Sequence, residues 1–139
     1  MHPEYNSEDL RTAEMVIFPI NHARHWLVGA FDLIEHKIVV IDSMRLHGEK
    51  FLEIFRKTET EITSIFVGDG QNPKWNYIDL SSQVPLQTDG YSCGPLSVLN
   101  AEYFIKNLKF EYNITQMISN LRYNICLSVY LHHQICNSD

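Results

Sequence analysis

The sequence has little of what marks disulfide-bonded proteins. Its 139 residues include only three cysteines, Cys93, Cys126 and Cys136, an odd number at wide spacing. This pattern argues against a disulfide framework and favours a reducing, intracellular compartment. Cys126 and Cys136 lie in an apolar C-terminal stretch, where we expect them to pack as small hydrophobic residues.

Long apolar runs and clusters of basic residues are also absent. No apolar run approaches the roughly 20 residues that a transmembrane helix needs. No more than two Lys or Arg residues are adjacent, and 17 acidic against 11 basic residues give a net charge of −6. We therefore expect neither nucleic acid nor a membrane as a partner. The first nine residues are polar and acidic, unlike a signal or transit peptide, so we expect a nuclear or cytoplasmic protein.

What the sequence does contain is the composition of a globular domain. Apolar residues make up 45% and charged residues 20%, the balance of a soluble folded protein. The length suffices for one domain with one hydrophobic core and is too short for two ordinary ones. We therefore expect a single domain over residues 1–139.

The order of predicted elements indicates an α+β fold. Short runs rich in β-branched and aromatic residues predict strands over 14–20, 26–32 and 37–42, with a polar connection at 21–24, and residues 75–80 suit a short fourth strand. Helical periodicity predicts helices over 49–60, from Cys93 to about Asn107, and over about 115–134. Strands dominate the first half of the chain and helices the second, which is the order of an α+β protein.

The most informative segment runs from Gln87 to Gly94 and reads QTDGYSCG. It places Cys93 after a turn-forming Asp-Gly pair and at the start of a predicted helix. The dipole of a helix N-terminus favours the thiolate, which is the reactive form of cysteine. Cys93 is therefore a candidate nucleophile.

A histidine and a carboxylate precede this cysteine in positions that suit a thiol hydrolase. His25 lies where one predicted strand begins and Asp42 where the next one ends, so antiparallel pairing of the two strands brings imidazole and carboxylate together. Such a pair activates a cysteine and protonates the leaving amine. His22 is an alternative base and Asp32 an alternative carboxylate. We favour His25 because Trp26 adjoins it, and Asp42 because Asp32 ends the strand that His25 begins.

Thiol hydrolases also need hydrogen-bond donors for the oxyanion of the tetrahedral intermediate. The backbone N–H of Cys93, at a helix start, and the side-chain amide of Gln87 are suited to that role. The sequence therefore contains all four parts of such a site.

Together these residues resemble the ubiquitin-like-protein-specific cysteine proteases, the Ulp/SENP-type enzymes that process SUMO and related modifiers. The resemblance covers about 14–107 and is carried by His25-Trp26, by Asp42-Ser43 seventeen residues after the histidine, and by Gln87 six residues before Cys93-Gly94. Two positions depart from the family: Ser92 stands where it usually has Asp, and Pro95 where it tends to have a bulky apolar residue.

The resemblance implies a papain-like α+β fold, with a central, mainly antiparallel sheet flanked by helices and the catalytic cysteine at a helix N-terminus. It implies that Cys93 is the nucleophile, His25 the general base and acid, Asp42 the orienting carboxylate and Gln87 the oxyanion donor. It further implies a narrow tunnel for the modifier's diglycine tail, roofed by Trp26, with substrate-binding residues that also include Gly90 and Gly94.

The function implied by the resemblance is cleavage after the C-terminal diglycine of a ubiquitin-like modifier, SUMO or a relative. The reaction would be precursor processing, deconjugation from lysine, or both, with no metal or organic cofactor. One alternative is an inactive module of the same fold that binds a modifier. Another is a Cys-His-Asp acyltransferase, although the sequence lacks the basic run that a phosphorylated acyl carrier would need. The group 132–136 (HHQIC) lacks a second ligand pair, so we interpret it as a polar helix end rather than a zinc site.

Overall fold

The computed structural model describes the backbone of residues 12–136 and the side chains as far as Leu127. Four strands form one sheet in the order β1-β2-β3-β4, with bounds β1 Met15–His22, β2 His25–Asp32, β3 Lys37–Ile41 and β4 Asn76–Asp79. The first two pairs of strands are antiparallel and the last pair, β3 and β4, is parallel. The sheet is therefore mixed, with β1 at one edge and β4 at the other.

Four helices accompany the sheet among the described residues: α1 Gly48–Lys57, α2 Glu59–Phe66, α3 Cys93–Ile105 and α4 Ile114–Cys136. Strands precede the long helices in the chain, and the predicted α+β class is confirmed. The helix predicted from Cys93 starts at that residue.

Two predicted boundaries are wrong, each for a local reason. The connection predicted at 21–24 is a two-residue turn, because Ala23 and Arg24 adopt φ values of 50° and 65° and let β1 pair with β2 as far as His22. The helix predicted over 49–60 ends at Lys57. There the Thr58 hydroxyl and backbone N–H both donate to the carbonyl of Ile54, which closes the last turn.

Side chains of β2 and β3 alternate between two hydrophobic clusters on opposite faces of the sheet. On one face, beside α1 and α2, a cluster contains Leu27, Phe31, Ile38, Val40, Leu52, Ile62 and Trp75. On the other, a cluster of Val28, Ala30, Val39, Ile41 and Val84 packs with Ala101 and Phe104 of α3. Because helices cover both faces, the two central strands are buried throughout most of their length.

A glycine in β2 allows one close contact in this packing. Gly29 lies opposite Phe18 of β1, and a Cβ atom at Gly29 would be 2.5 Å from Cε2 of the Phe18 ring. The ring therefore occupies the place where another residue would carry its side chain.

The C-terminal helix differs from the prediction for its cysteines. Ile125 lines a cavity beside α3, whereas the next residue, Cys126, projects in another direction and is exposed. The expectation that Cys126 packs as a hydrophobic residue is therefore wrong, and Cys136 lies outside the described side chains. No helix in the described part of the chain has the length and apolarity to cross a membrane.

Candidate active site

The pairing of β2 with β3 brings His25 and Asp42 together. Val28 of β2 is aligned with Ile41 of β3, so this antiparallel register continues with Asp42 opposite Leu27, two residues from His25. His25 Nε2 is 2.6 Å from Asp42 Oδ1, and both side chains are buried. A carboxylate only accepts hydrogen bonds, so Nε2 carries the proton that joins them.

Asp42 is held by several further hydrogen bonds. Its two carboxylate oxygens accept backbone N–H bonds of 2.8–2.9 Å from Met44, Leu46 and His47. Its own backbone N–H donates to the hydroxyl of Ser81 at 2.9 Å. Burial by itself raises the pKa of Asp42, but the hydrogen bonds from His25 and these backbone groups outweigh it and lower the pKa below its usual value. Asp42 is therefore ionised at neutral pH and keeps His25 in one orientation.

The second nitrogen of the imidazole is buried without a hydrogen-bond partner. His25 Nδ1 is the one buried side-chain polar atom of the described residues that makes no such bond. Because Nε2 donates to Asp42, Nδ1 carries the lone pair and can accept a proton.

The first turn of α3 meets the beginning of β2 at this place. A Cβ atom at Gly94 would be 3.8 Å from Cδ1 of Trp26, the residue next to His25. Cys93, the first residue of α3, is buried, and its carbonyl accepts a bond of 2.8 Å from the Ser97 hydroxyl. No acidic residue lies in the first turn of α3, so no carboxylate within that turn offsets the positive end of the helix dipole.

Gln87 is buried in a fixed orientation. Its Oε1 accepts a hydrogen bond of 2.8 Å from the Ser43 hydroxyl, and its backbone N–H donates to the Ser43 carbonyl at 2.8 Å. Its Nε2 donates to the Asp89 carbonyl at 2.8 Å. The same Asp89 binds Ser92, the residue before Cys93, so one turn connects the Gln87 amide to the start of α3.

An apolar cavity adjoins Trp26 and α3. It encloses about 700 Å³ and is lined mainly by apolar side chains of β1, β2 and α3, including Ile17, Pro19, Val28, Pro95, Val98 and Ala101. Trp26 also lines this cavity and exposes 39% of its surface. Gly90 lies in the exposed turn before α3 and has open space where a side chain would project.

The two alternative residues from the sequence are engaged elsewhere. Asp32 accepts hydrogen bonds from the backbone N–H groups of Ile34 and Glu35 in the β2–β3 turn, at the other end of the strand. His22 lies 2.9 Å from Lys50 Nζ and packs edge-on against His47. Burial and these two neighbours lower the pKa of His22, so its imidazole is neutral at neutral pH.

Three supporting residues were missed by the sequence analysis. Ser43 orients Gln87, and its place directly after Asp42 was the one available signal. Ser81 fixes the backbone of Asp42, and Arg45 donates to the carbonyls of Ser81 and Val84, at 3.0 Å and 2.9 Å. Ser81 and Arg45 stand in no recognisable motif, because their contacts join loops about 36 residues apart along the chain.

The described residues contain no group of three or more His, Cys, Asp or Glu side chains arranged to hold a metal ion. The side chains of 132–136 lie outside the described part of the structure.

Solved structures with a similar fold are SUMO proteases. The "Chaetomium thermophilum Ulp1-like SUMO protease catalytic domain" has a TM-score of 0.65 and 20% identity, covering 84% of this chain and 46% of that one. The "C-terminal Ulp1 protease domain in complex with Smt3, the yeast ortholog of SUMO" has a TM-score of 0.58 and 23% identity, covering 78% and 49%. Ulp1 with its catalytic cysteine oxidised to a sulfenic acid has a TM-score of 0.57 and 23% identity, covering 79% and 50%.

These structures share the fold of this chain, which spans about half their length. A comparison with curated proteins gave no match. The sequence model described as "Ulp1 protease family, C-terminal catalytic domain" matches residues 1–133. That match extends over almost the entire chain, and the chain therefore belongs to the Ulp1 protease family.

Proposed function

We propose that this protein is a cysteine protease that cleaves after the C-terminal diglycine of SUMO or a related ubiquitin-like modifier. The observation that supports it most is the buried His25, whose Nε2 is bound to Asp42 and whose Nδ1 is unpartnered among the described residues. The helix that begins with Cys93 meets the same strand end. The printed descriptions of the structural neighbours name SUMO proteases, one of them in complex with Smt3.

In the proposed reaction, His25 Nδ1 takes the proton of the Cys93 thiol. The thiolate sulfur attacks the carbonyl carbon of the scissile bond, and negative charge develops on the carbonyl oxygen. The backbone N–H of Cys93 and one N–H of the Gln87 amide stabilise that oxyanion, while the other N–H of Gln87 remains on the Asp89 carbonyl. The C–N bond then breaks, and the imidazolium of His25 protonates the leaving amine.

A thioester between the modifier and Cys93 remains after the amine leaves. Water attacks its carbonyl carbon while His25 Nδ1 accepts the proton of the water. The C–S bond breaks, the thiolate recovers that proton from His25, and the modifier leaves with a free carboxylate. Throughout the cycle Asp42 stays ionised, stabilises the imidazolium and holds its plane.

Specificity for diglycine is proposed to come from the surroundings of Trp26. Its ring faces Gly94 in the first turn of α3, where an added Cβ atom would be 3.8 Å from Cδ1 of the indole. A passage bounded by an indole ring and a helix turn admits residues without side chains and excludes larger ones sterically. We also propose that residues 1–139 form one catalytic domain that acts in the nucleus or cytoplasm on modifier precursors or conjugates.

A second candidate is an inactive module of the same fold that binds a modifier without cleaving it. In this alternative, the site would be retained while turnover is lost, and adduct formation distinguishes the two candidates.

The test is reaction with a panel of ubiquitin-like modifiers that carry a C-terminal electrophile. We expect the wild type to form a covalent adduct with SUMO or a relative, and Cys93→Ser to form none. Cys126→Ser is the matched control, because it removes the exposed thiol of α4 and should leave the adduct unchanged. If the folded wild type binds a modifier but gives no adduct, the protease proposal is wrong and the inactive module is the better account.

A further inference from the structure

The carboxylate of Asp89 organises the turn that leads into α3. Its Oδ1 accepts backbone N–H bonds from Tyr91 at 2.9 Å and Ser92 at 2.7 Å. Its Oδ2 accepts the hydroxyl proton of Ser92 at 2.6 Å. Ser92 is fully buried, so this hydroxyl has no access to solvent and depends on protein partners.

A cation lies on the other side of the same hydroxyl. Nη2 of Arg122, from α4, is 3.4 Å from Ser92 Oγ and 3.3 Å from the Tyr91 carbonyl. The guanidinium also lies over the Tyr91 ring, 5.2 Å from its centroid. The Ser92 hydroxyl therefore donates to a carboxylate and accepts from a guanidinium, which fixes its direction.

This direction leaves the start of α3 without a side-chain cap. Ser92 is the N-cap residue, and a serine there ordinarily accepts a hydrogen bond from a backbone N–H of the first turn. Here it makes no such bond. Pro95 has no N–H, so the first-turn N–H groups not used within the helix are those of Cys93 and Gly94. Holding the hydroxyl away from them keeps both available for negative charge.

Asp89 reaches the other oxyanion donor as well. Its carbonyl accepts the bond of 2.8 Å from Gln87 Nε2, and its Oδ1 lies 3.3 Å from the same nitrogen. One residue thus contacts both the Gln87 amide and the residue that precedes the nucleophile.

We propose that Asp89 is a positioning residue, which holds the Ser92 hydroxyl away from the first turn of α3 and aligns the Gln87 amide, with Arg122 supporting it from α4. The expected effect of Asp89 on catalysis rests on the proposed function. Asp89 touches neither the reacting atoms nor His25 in the described contacts, and its effect passes through Ser92 and Gln87.

The ionisation of Asp89 agrees with this role. Burial acts to raise its pKa, but the hydrogen bonds from the Ser92 hydroxyl, from two backbone N–H groups and from Gln87 outweigh burial and lower the pKa. The carboxylate is therefore charged at neutral pH.

Asp89→Asn removes the charge of the side chain and keeps its size. Its Oδ1 can still accept from the two backbone N–H groups, but the amide nitrogen cannot accept the Ser92 proton. The Ser92 hydroxyl then becomes free to cap Gly94 and compete with the developing charge. We expect kcat to fall roughly tenfold to a hundredfold, up to the effect of one lost oxyanion donor, with KM changed less than about twofold.

Removing the capping side chain should rescue this variant. In Asp89→Asn/Ser92→Ala no side chain at the N-cap position can bond to Gly94, so the N–H groups of Cys93 and Gly94 stay available for negative charge. We expect kcat to recover to within about fivefold of the wild type. Such a recovery would show that Asp89 acts by holding the hydroxyl, because packing lost in Asp89→Asn would not be restored by a second truncation.

A second measurement does not depend on the modifier. Peptide mass spectrometry after a brief reaction with iodoacetamide, at several pH values, gives the labelling of Cys93 relative to the exposed Cys126. We expect Asp89→Asn to lower this ratio about tenfold near neutral pH, since a helix start capped by the Ser92 hydroxyl stabilises the thiolate less. The double variant should restore it.

Asp69→Asn is the matched control, because it removes a carboxylate that accepts a serine hydroxyl at 2.5 Å in the turn after α2. It should leave kcat and the labelling ratio unchanged. The proposal would be overturned if Asp89→Asn kept the wild-type kcat and labelling ratio. It would also be overturned if the double variant had a kcat and labelling ratio no higher than those of Asp89→Asn. If the wild type forms no modifier adduct, the proposed function fails, and the labelling ratio still decides the role of Asp89.

Discussion

At the scale of single residues, Ser43 connects the two halves of the candidate site. It follows Asp42 directly in the chain, and its hydroxyl and carbonyl both bind Gln87, 44 residues further on. Because Gln87 Oε1 is occupied by the Ser43 hydroxyl, the amide nitrogen is directed to the opposite side. The orientation of the proposed oxyanion donor thus depends on a hydroxyl next to the Asp42 carboxylate.

Ser43→Ala should weaken both stability and turnover. Removing the hydroxyl leaves the buried Gln87 Oε1 without its donor, which costs about 1–3 kcal/mol in the free energy of unfolding. The freed amide can rotate, so we expect kcat to fall roughly tenfold or more. Urea denaturation and steady-state kinetics measure the two effects. Ser64→Ala, which removes an exposed hydroxyl bound to Asp69, should change neither, and equal behaviour of the two variants would contradict the role of Ser43.

At the scale of elements, β2 contributes residues both to the candidate site and to the hydrophobic core. It begins with His25 and Trp26, and its inner residues contribute to clusters on both faces of the sheet. The position of the imidazole therefore depends on how β2 pairs with its neighbours. Gly29 and Phe18 form one of these pairs.

Gly29→Ala should destabilise the β1–β2 pair. The added methyl group would lie 2.5 Å from the Phe18 ring, so the ring or the strand must move, and overpacking of this kind costs about 1–3 kcal/mol. Thermal or urea denaturation measures the loss. Gly90→Ala is the control for stability, since no atom lies within 4 Å of the added group. A Gly29→Ala variant as stable as Gly90→Ala would show that Phe18 relocates freely.

Sequence patterns predicted these elements unevenly. The hairpin of β2 and β3 followed from two neighbouring runs rich in β-branched and aromatic residues, and the start of α3 followed from the turn residues before Cys93. The division between α1 and α2 was not predictable, because it depends on the Thr58 hydroxyl turning back to Ile54. Residues 62–67 are rich in β-branched types that favour strands, yet residues 62–66 lie in helix α2, because the packing of Ile62 and Phe66 in the core outweighs local propensity.

At the scale of the whole molecule, acid should unfold the protein in part through two carboxylates. The pKa values of Asp42 and Asp89 are both lowered from 3.8. The unfolded chain therefore binds protons at a higher pH than the folded one. Their contribution to stability is complete above about pH 3.8 and is lost as the pH falls through the lower folded values.

Asp42→Asn should remove part of this pH dependence. At pH 7 we expect the variant to lose roughly 2–3 kcal/mol, since an amide cannot accept all the N–H groups around it. Below pH 3 the difference from the wild type should shrink. Urea denaturation between about pH 2 and pH 7 measures this. Asp69→Asn is the control, and a difference between Asp42→Asn and wild type that is constant across this range would contradict the linkage.

The sequence indicated the residues of the candidate site but not how they are held. Cys93, His25, Asp42 and Gln87 were identifiable because their types and order match one chemistry, and strand pairing explained how His25 meets Asp42. The contacts of Ser81 and Arg122 depend on how distant loops and helices pack, which no local pattern encodes. They became visible only once the complete arrangement of elements was known.

The separation of the site along the chain affects when it exists during synthesis. His25 and Asp42 belong to a hairpin whose strands are close in sequence. Cys93 lies 68 residues after His25 and begins a helix that packs on β2. Synthesis proceeds from the N-terminus, so a growing chain contains the imidazole and the carboxylate before the thiol. The proposed enzyme therefore has no Cys93 thiol to act on its surroundings until synthesis has continued past the strands and into α3.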